Sequence, residues 1–348
     1  MRTLVTGGAG FIGSAMVRTL VAKGAGPVLN IDKLTYAGNP ESVGNAQFSA
    51  DYELVEADVA DAESMQKIFL DFKPDAVVHL AAESHVDRSI TGPGAFVQTN
   101  IVGTSVLLEC ALSYWRGLDS ASGAGFRFLH ISTDEVFGAL GTKGHFTEES
   151  IYRPNSPYAA SKASADHLVR AFYQTYGLPT LITNCGNNYG PYQYPEKLIP
   201  LMIQKAFRGE PLPVYGRGDQ IRDWIHVEDH VTALLCVLER GQPGETYVVG
   251  SRQELRNIDL VNRLCEILDA QVSDSPHCPH SELISFVEDR PGHDQRYAIN
   301  PAKIERDLGW QPKISLEQGL SDTVAWYLEN NPWCEQTEQR YRQQRLGL

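Results

Sequence analysis

Positive charge is in short supply. The chain of 348 residues carries 30 lysines and arginines against 43 aspartates and glutamates, a formal net charge of −13. So acidic a chain lacks the basic footprint of non-specific nucleic-acid binding. Any phosphate it holds must meet a few placed side chains and backbone amides, and no nucleic-acid partner is expected. No uninterrupted apolar run approaches the ~20 residues that span a bilayer, so no membrane partner is expected either. A strand begins within three residues of Met1, which leaves no room for a signal peptide, and a cytoplasmic location is expected. Cysteine is sparse and scattered: Cys110, Cys185, Cys236, Cys265, Cys278 and Cys334 include no pair at metal-site spacing and read as free thiols. His277-Cys278-Pro279-His280 brings two ligand types together, but in a proline-rich loop with no second ligand cluster in the sequence, so no metal is expected. Internal repeats and low-complexity tracts are missing too.

Hydrophobic residues make up 42% of the chain, enough for a proper core, and the length suits two domains or one with an appended lobe. Residues 2–6 read as a short buried strand. Gly7-Gly8-Ala9-Gly10-Phe11-Ile12-Gly13 follows, then an apolar segment of helical period to about Lys23. Glycines at 7, 10 and 13 let backbone approach a pyrophosphate, and the new helix aims its first amides at it. The next strand, 27–32, ends in Asp32, about 20 residues beyond the glycines. An acid there accepts from an adenosine ribose and repels a 2′-phosphate, which favours NAD over NADP.

Strands and helices then alternate: strand 52–57 closed by Asp58, helix 61–72, strand 75–80, helix 95–115, a Gly/Ser-rich loop 117–125, strand 126–132 and, later, strand 180–184. That alternation predicts βαβ units in an α/β fold, a doubly wound parallel Rossmann-type sheet. Beyond 186 the texture changes. Asn187-Asn188-Tyr189-Gly190-Pro191-Tyr192 is turn chemistry, and shorter elements follow: helices 197–208, 227–240, 258–268 and 316–329, and a short strand 213–215. The division expected is a dinucleotide-binding domain, 1–186, joined by part of 224–250; a smaller α/β substrate-binding lobe, 187–330; and a polar tail, 331–348.

Two stretches carry chemistry. The strand Leu129-His130-Ile131-Ser132 runs into Thr133-Asp134-Glu135, a hydroxyl and two acids at the strand end, where open α/β sheets bind ligands. Adjacent carboxylates whose surroundings push their pKa values apart can serve as acid and base; the plain alternative is a pair of ordinary loop acids. In Ser156-Pro157-Tyr158-Ala159-Ala160-Ser161-Lys162, Ser156 can cap a helix and Pro157 fits its first position. Tyr158 and Lys162 are then one turn apart on one face. An ammonium beside a phenol favours the phenolate, a base for a hydroxyl proton.

These marks together resemble the extended short-chain dehydrogenase/reductases: Thr6 to Gly13, and Tyr158 with Lys162. Within them the chain is similar to the dTDP-glucose 4,6-dehydratases, through Asp32-Lys33-Leu34-Thr35-Tyr36-Ala37-Gly38-Asn39, Ala81-Ala82-Glu83-Ser84-His85-Val86-Asp87-Arg88-Ser89, Ser132 to Val136, Asn187 to Tyr192, and Asp289-Arg290-Pro291-Gly292-His293-Asp294. The resemblance runs to about residue 330. Thr133-Asp134-Glu135 discriminates, since the related sugar epimerases do not carry the acid pair.

The resemblance implies NAD as cofactor and dTDP-glucose as substrate. Tyr158, with Lys162 beside it, takes the 4-hydroxyl proton while Thr133 hydrogen-bonds that hydroxyl. Glu135 removes the C5 proton, Asp134 protonates the departing C6 hydroxyl, and hydride leaves C4 and returns to C6. The product is a 4-keto-6-deoxy sugar nucleotide. It implies cofactor contacts from Gly7, Gly10, Phe11, Ile12, Gly13, Asp32, Lys33, Asp58, Val59, Ala81, Ala82, Ser84, Tyr158 and Lys162. Substrate contacts are implied from Ser84, Thr133, Asn187, Lys197, Leu198, Tyr215, Arg222, Arg290 and His293, the arginines on the diphosphate and Tyr215 on the base. It also implies a homodimer through the helices near 95–115 and 158–176. Departures from the pattern are Gly186 for serine, and His226 and Phe137 for tyrosine. Open beside this reading stand a 4-epimerase or 4,6-dehydratase acting on another nucleotide sugar, such as a UDP-sugar, and a non-catalytic binding protein on the same fold.

Overall fold

In the computed structural model, which describes residues 1–341, the first half of the chain builds one sheet. Its strands are β1 (Thr3–Thr6), β2 (Val28–Asp32), β3 (Tyr52–Glu56), β4 (Ala76–His79), β5 (Arg127–Thr133) and β6 (Thr180–Cys185). A seventh strand returns to it from far along the chain. Among the strands β7 (Asn187–Tyr189), β8 (Leu212–Tyr215), β9 (Ile221–His226), β10 (Thr246–Val249), β11 (Glu254–Arg256) and β12 (Ile284–Val287), it is β10 that pairs with β6. The order β10-β6-β5-β4-β1-β2-β3 is parallel throughout. β1 and β4 are neighbours though far apart in sequence, so the chain leaves β1 in both directions and a crevice opens at that switch point. Both faces of the sheet are covered, which is why β1, β2 and β4 bury every residue rather than alternating.

The helices are α1 (Phe11–Ala22), α2 (Ala62–Phe72), α3 (Val86–Thr91), α4 (Pro93–Phe96), α5 (Thr104–Arg116), α6 (Ser120–Gly125), α7 (Pro157–Tyr176), α8 (Leu198–Phe207), α9 (Val227–Arg240), α10 (Asn257–Gln271), α11 (Ala302–Leu308), α12 (Leu316–Glu329) and α13 (Asn331–Tyr341). Their ends follow local chemistry. Asp61 accepts from Glu63 N and Ser64 N at the start of α2. Ser156 Oγ accepts from Ala159 N (3.1 Å) ahead of Pro157, and α7 stops at Gly177 with φ 72°. One face of the sheet packs on α1 and α9 through residues such as Met16, Leu129, Ile225 and Leu234. The other packs on α2, α5 and α7 through Phe69, Leu107, Phe128 and Val169.

The second lobe holds a three-stranded sheet, β11-β9-β7, and the pair β12-β8. Helices α8, α10, α12 and α13 close over them around Tyr189, Met202, Trp224, Leu264 and Tyr327. Several expectations change here. Asn187–Tyr189, read as turn chemistry, is strand β7, because Asn187 to Tyr189 register against Trp224 to His226 of β9. Strand β12 escaped the sequence reading, and its pairing with β8 is what makes the short apolar stretch before Tyr215 a strand. The loop at 117–125 contains α6, capped by Asp119. The tail forms α13 with Trp333 buried against Tyr192 and Trp326; residues 342–348 lie outside the described residues.

Helix 95–115 is part of one continuous helical stretch, Pro93–Arg116, with a π-helical segment at Val97–Gly103. By length and composition it could cross a membrane, although Gln98, Thr99 and Asn100 break the apolar run, because its mean hydropathy stays at 1.4 despite them. In this fold its Leu107, Leu108, Ala111 and Leu112 are buried among α2 and α7.

Candidate active site

A cleft of about 420 Å³ runs along the carboxyl ends of β1, β2, β4, β5 and β6. Its floor at one end is the glycine turn, where side chains have no room. A Cβ on Gly13 would stand 2.1 Å from Gly7 O, and one on Gly7 2.6 Å from Ala81 N. Gly7 also sits at φ 73°, in the left-handed region. Gly10 caps α1 without a side-chain hydrogen bond, so the first amides of α1 are left for a ligand in the cleft. Asp32 closes β2 beside them, 8% exposed. Its two oxygens accept from Ala9 N (2.9 Å) and Leu34 N (2.8 Å), which fixes the carboxylate with lone pairs to spare. Lys33 Nζ pairs with Asp58 Oδ2 (2.5 Å) at the rim, near Val59. Phe11, Ile12, Ala81, Ala82 and Ser84 complete this half of the lining.

The other half gathers Thr133, Asp134, Glu135, Tyr158, Lys162, Asn187 and Lys197. Thr133 ends β5 and caps a single 3₁₀ turn, Asp134–Phe137, by accepting from Glu135 N (3.3 Å). That turn separates the two acids. Asp134 is 1% exposed, with Oδ2 unpartnered and Oδ1 accepting from Thr133 Oγ1 (3.3 Å). Burial, then the Glu135 charge, pushes its carboxyl well above the ordinary value. Burial also raises Glu135, but Arg290, Arg222 and Lys197 pull it back. The two environments differ in the sense an acid and a base require.

Tyr158 is brought to the same place, where the Thr133 hydroxyl acts to lower the pKa of its phenol. The Lys162 head lies elsewhere: Nζ donates to Ile131 O (2.7 Å). The expectation that Lys162 lowers the phenol's pKa is not met. Burial and the Glu135 charge push Tyr158 well above its ordinary value, and the ammonium is turned to the β5 backbone. Lys162 itself is lowered to about 8 by burial.

The remaining expected residues, Lys197 excepted, sit beyond the lining. Arg222, 5% exposed, lies over the Tyr297 ring (4.2 Å) and donates to Ile221 O (2.8 Å) and Asp294 O (2.9 Å). Arg290 Nη1 pairs with Asp87 Oδ1 (2.9 Å), and the Tyr215 hydroxyl donates to Asp87 Oδ2 (3.2 Å). His293 stands edge-on to Tyr215 and pairs with Asp289 (2.6 Å). Lys197 donates to Ser84 O (3.0 Å), and Leu198 opens α8, packed on the second lobe's core.

Three residues of the site were overlooked. Asp87 gathers Arg290 and Tyr215, and it belongs to the stretch Ala81 to Ser89. Glu196 receives Arg88 Nε (3.1 Å) and the Tyr36 hydroxyl (3.3 Å); its only signal was adjacency to Lys197. Cys185 ends β6 in the cleft, its thiol pushed up to about 12 by burial, and nothing in the sequence marked it. The departures have local causes. A Cβ on Gly186 would meet Asp223 O at 2.9 Å. His226 caps α9 through Glu228 N (3.3 Å) and stands edge-on to Tyr189. Phe137 packs on Phe146 and Tyr152.

Known proteins share this arrangement. Residues 4–323 match the family model for GDP-mannose 4,6 dehydratase. The dTDP-glucose 4,6-dehydratase 1 of Escherichia coli (strain K12) is 56% identical over 344 residues, 96% of this chain and 95% of that one. The chain belongs to the dTDP-glucose 4,6-dehydratase family. A solved family member, DesIV of Streptomyces venezuelae with NAD and TYD bound, superposes with a TM-score of 0.87 at 45% identity, covering 97% of this chain and 100% of that one. The UDP-glucose 4-epimerase of Thermotoga maritima also superposes, with a TM-score of 0.83 at 31% identity over 95% of this chain and all of that one. Fold alone therefore does not separate dehydratase from epimerase, and within the dehydratase family the acid pair on the 3₁₀ turn has to be read as chemistry.

Proposed function

We infer that this chain dehydrates dTDP-glucose to dTDP-4-keto-6-deoxyglucose with NAD as a resident cofactor. The observation that carries the reading is the pair Asp134–Glu135, a buried and a half-buried neighbour in unlike surroundings within reach of Tyr158. Full-length identity to dTDP-glucose dehydratases at 56% supports the substrate over a UDP-sugar and the elimination over epimerisation. The glycine turn that a Cβ would fill, the open amides of α1 and the fixed Asp32 carboxylate fit NAD. Gly7, Gly10, Phe11, Ile12 and Gly13 would hold the pyrophosphate, Asp32 the adenosine ribose, Lys33, Asp58 and Val59 the adenine, and Ala81, Ala82, Ser84, Tyr158 and Lys162 the nicotinamide half. When bound, NAD supplies the hydride acceptor and donor.

The protein's own groups move the protons. Tyr158, once ionised to its phenolate, takes the proton of the sugar's 4-hydroxyl, which Thr133 orients. A ketone at C4 acidifies the C5 proton, and Glu135, whose ionised form Arg290, Arg222 and Lys197 favour against burial, removes it. Asp134, held neutral by burial, gives a proton to the leaving C6 hydroxyl. Asn187, Lys197, Leu198 and Ser84 would contact the sugar and phosphates, Arg222 and Arg290 the diphosphate, and Tyr215 and His293 the base. We place the protein in the cytoplasm, consistent with six free cysteines, and assign it a homodimer through the helical stretch near 95–115 and α7.

A proton NMR time course with dTDP-glucose in deuterated water, without added NAD, tests the reading. The expected product is the 4-keto-6-deoxy sugar nucleotide with deuterium at C5. Formation of dTDP-galactose instead would make this an epimerase.

A further inference from the structure

Tyr158, Lys162 and Asp166 recur every fourth residue along α7 and so form one stripe on the helix. The third member has no part in the mechanism above. Asp166 is 2% exposed, and its two oxygens are used unequally. Oδ2 accepts from Ser132 Oγ (2.9 Å), the Tyr152 hydroxyl (2.9 Å) and Asn184 Nδ2 (3.0 Å). Oδ1 faces the fully buried His130 ring, 3.2 Å from Nε2. That same nitrogen is 3.5 Å from Lys162 Nζ. One imidazole edge thus stands between the ammonium and the carboxylate.

The groups facing Lys162 come from every element around it. They are Asp166 on α7, His130 on β5 with His79 of β4 behind it (ring centroids 5.2 Å apart), and Cys185 on β6. Burial pushes His130 down to about 4 and His79 well below its usual value, and raises the Cys185 thiol to about 12, so none of these three carries charge at neutral pH. Asp166 is the largest influence opposing the loss of the Lys162 proton.

We propose that Asp166 is a positioning residue for Lys162: its buried carboxylate, aimed past His130, keeps the ammonium charged and in place at the inner end of the cleft. This rests on the reading of Lys162 as part of the catalytic and cofactor apparatus. The plain alternative is that Asp166 only ties β5, β6 and Tyr152 together, and the two differ in what happens to the lysine's proton.

The test is Asp166→Asn in the full-length protein, read in two ways. One is the pH dependence of Lys162 carbamylation by cyanate, followed by mass spectrometry, which needs no turnover. The other is the alkaline limb of kcat. With the opposing charge gone, the lysine midpoint and the alkaline limb both move ~1 pH unit lower, and acidification restores much of the lost rate. Tyr152→Phe, which removes a donor but no charge, leaves the limb where it was. If D166N lowers the rate by one factor at every pH, with the lysine midpoint unmoved, Asp166 is only a tie and the proposal is wrong. If D166N does not fold, Lys162→Met is added. Recovery of folding in K162M/D166N supports the proposal, because the stranded charge was the fault, and continued failure overturns it. A moved lysine midpoint in a protein that never turns over dTDP-glucose would uphold Asp166 and sink the functional reading instead.

Discussion

Glu135 and Asp134 share a turn but not an environment. Arg222, Arg290 and Lys197 act on Glu135 as a cationic background. Asp134 feels burial first and its neighbour's charge second. The proposed roles follow, and Glu135→Gln separates them. The variant is expected to keep C4 oxidation, seen as reduced-nicotinamide absorbance in a single turnover, while C5 deuterium exchange falls by roughly 10²–10⁴-fold. Exchange at near wild-type rate would move the base to another residue. The pH profile carries the same logic. The base works ionised, so the rate rises as pH climbs through the Glu135 value, which lies above that of an ordinary glutamate. Lys162 is proposed to work charged, so the rate falls as pH rises through about 8. A kcat profile flat from pH 7 to 10 would remove the ammonium from the mechanism.

Elements that owe their form to local signals were readable in the sequence. Helix α12 runs over the predicted 316–329, and α7 starts at its Ser-Pro signal. Buried parallel strands announced themselves as apolar runs ending in polar residues. What stayed unreadable depends on partners far away in the chain. β7 exists because β9 lies beside it, and β12 because of β8; neither stretch is distinctive alone. The direction of the Lys162 head was equally hidden, since helical spacing sets a face and not a rotamer. The acid pair could be found in sequence, but the cations that distinguish its members come from β9, the residue that precedes α8 and the 289–294 loop. At this scale Gly13→Ala is the informative change. Its Cβ would press on Gly7 O at 2.1 Å, against backbone that cannot swing away. We expect α1 to shift, a stability loss of about 1–3 kcal/mol by denaturant titration, and protein that purifies without NAD. Normal cofactor content would mean that the turn is looser than its spacing implies.

At the scale of the whole molecule, the cleft belongs to both lobes, and polar bridges already span it. Asp87 and Arg88 follow β4, while their partners Arg290, Tyr215 and Glu196 come from the second lobe. Around α5 and α7 some apolar side chains reach the surface. Val97 is 49% exposed and Val102 37%, in a stretch otherwise apolar enough to pass for a membrane helix, and Tyr176 is 44% exposed at the end of α7. Apolar side chains at a helix pair's outer edge invite a second helix pair, and a self-complementary contact there makes a two-fold dimer. Tyr158 and Lys162 stand on α7, so such an interface would stiffen the helix that presents them. Light scattering should therefore give twice the 38.5 kDa chain mass. Val102→Glu, which sets a charge in the middle of the patch, should shift the protein toward monomer and weaken turnover in parallel. A wild-type monomer would disprove the dimer; a monomeric V102E with full activity would leave the dimer standing but show that one chain's cleft is complete by itself.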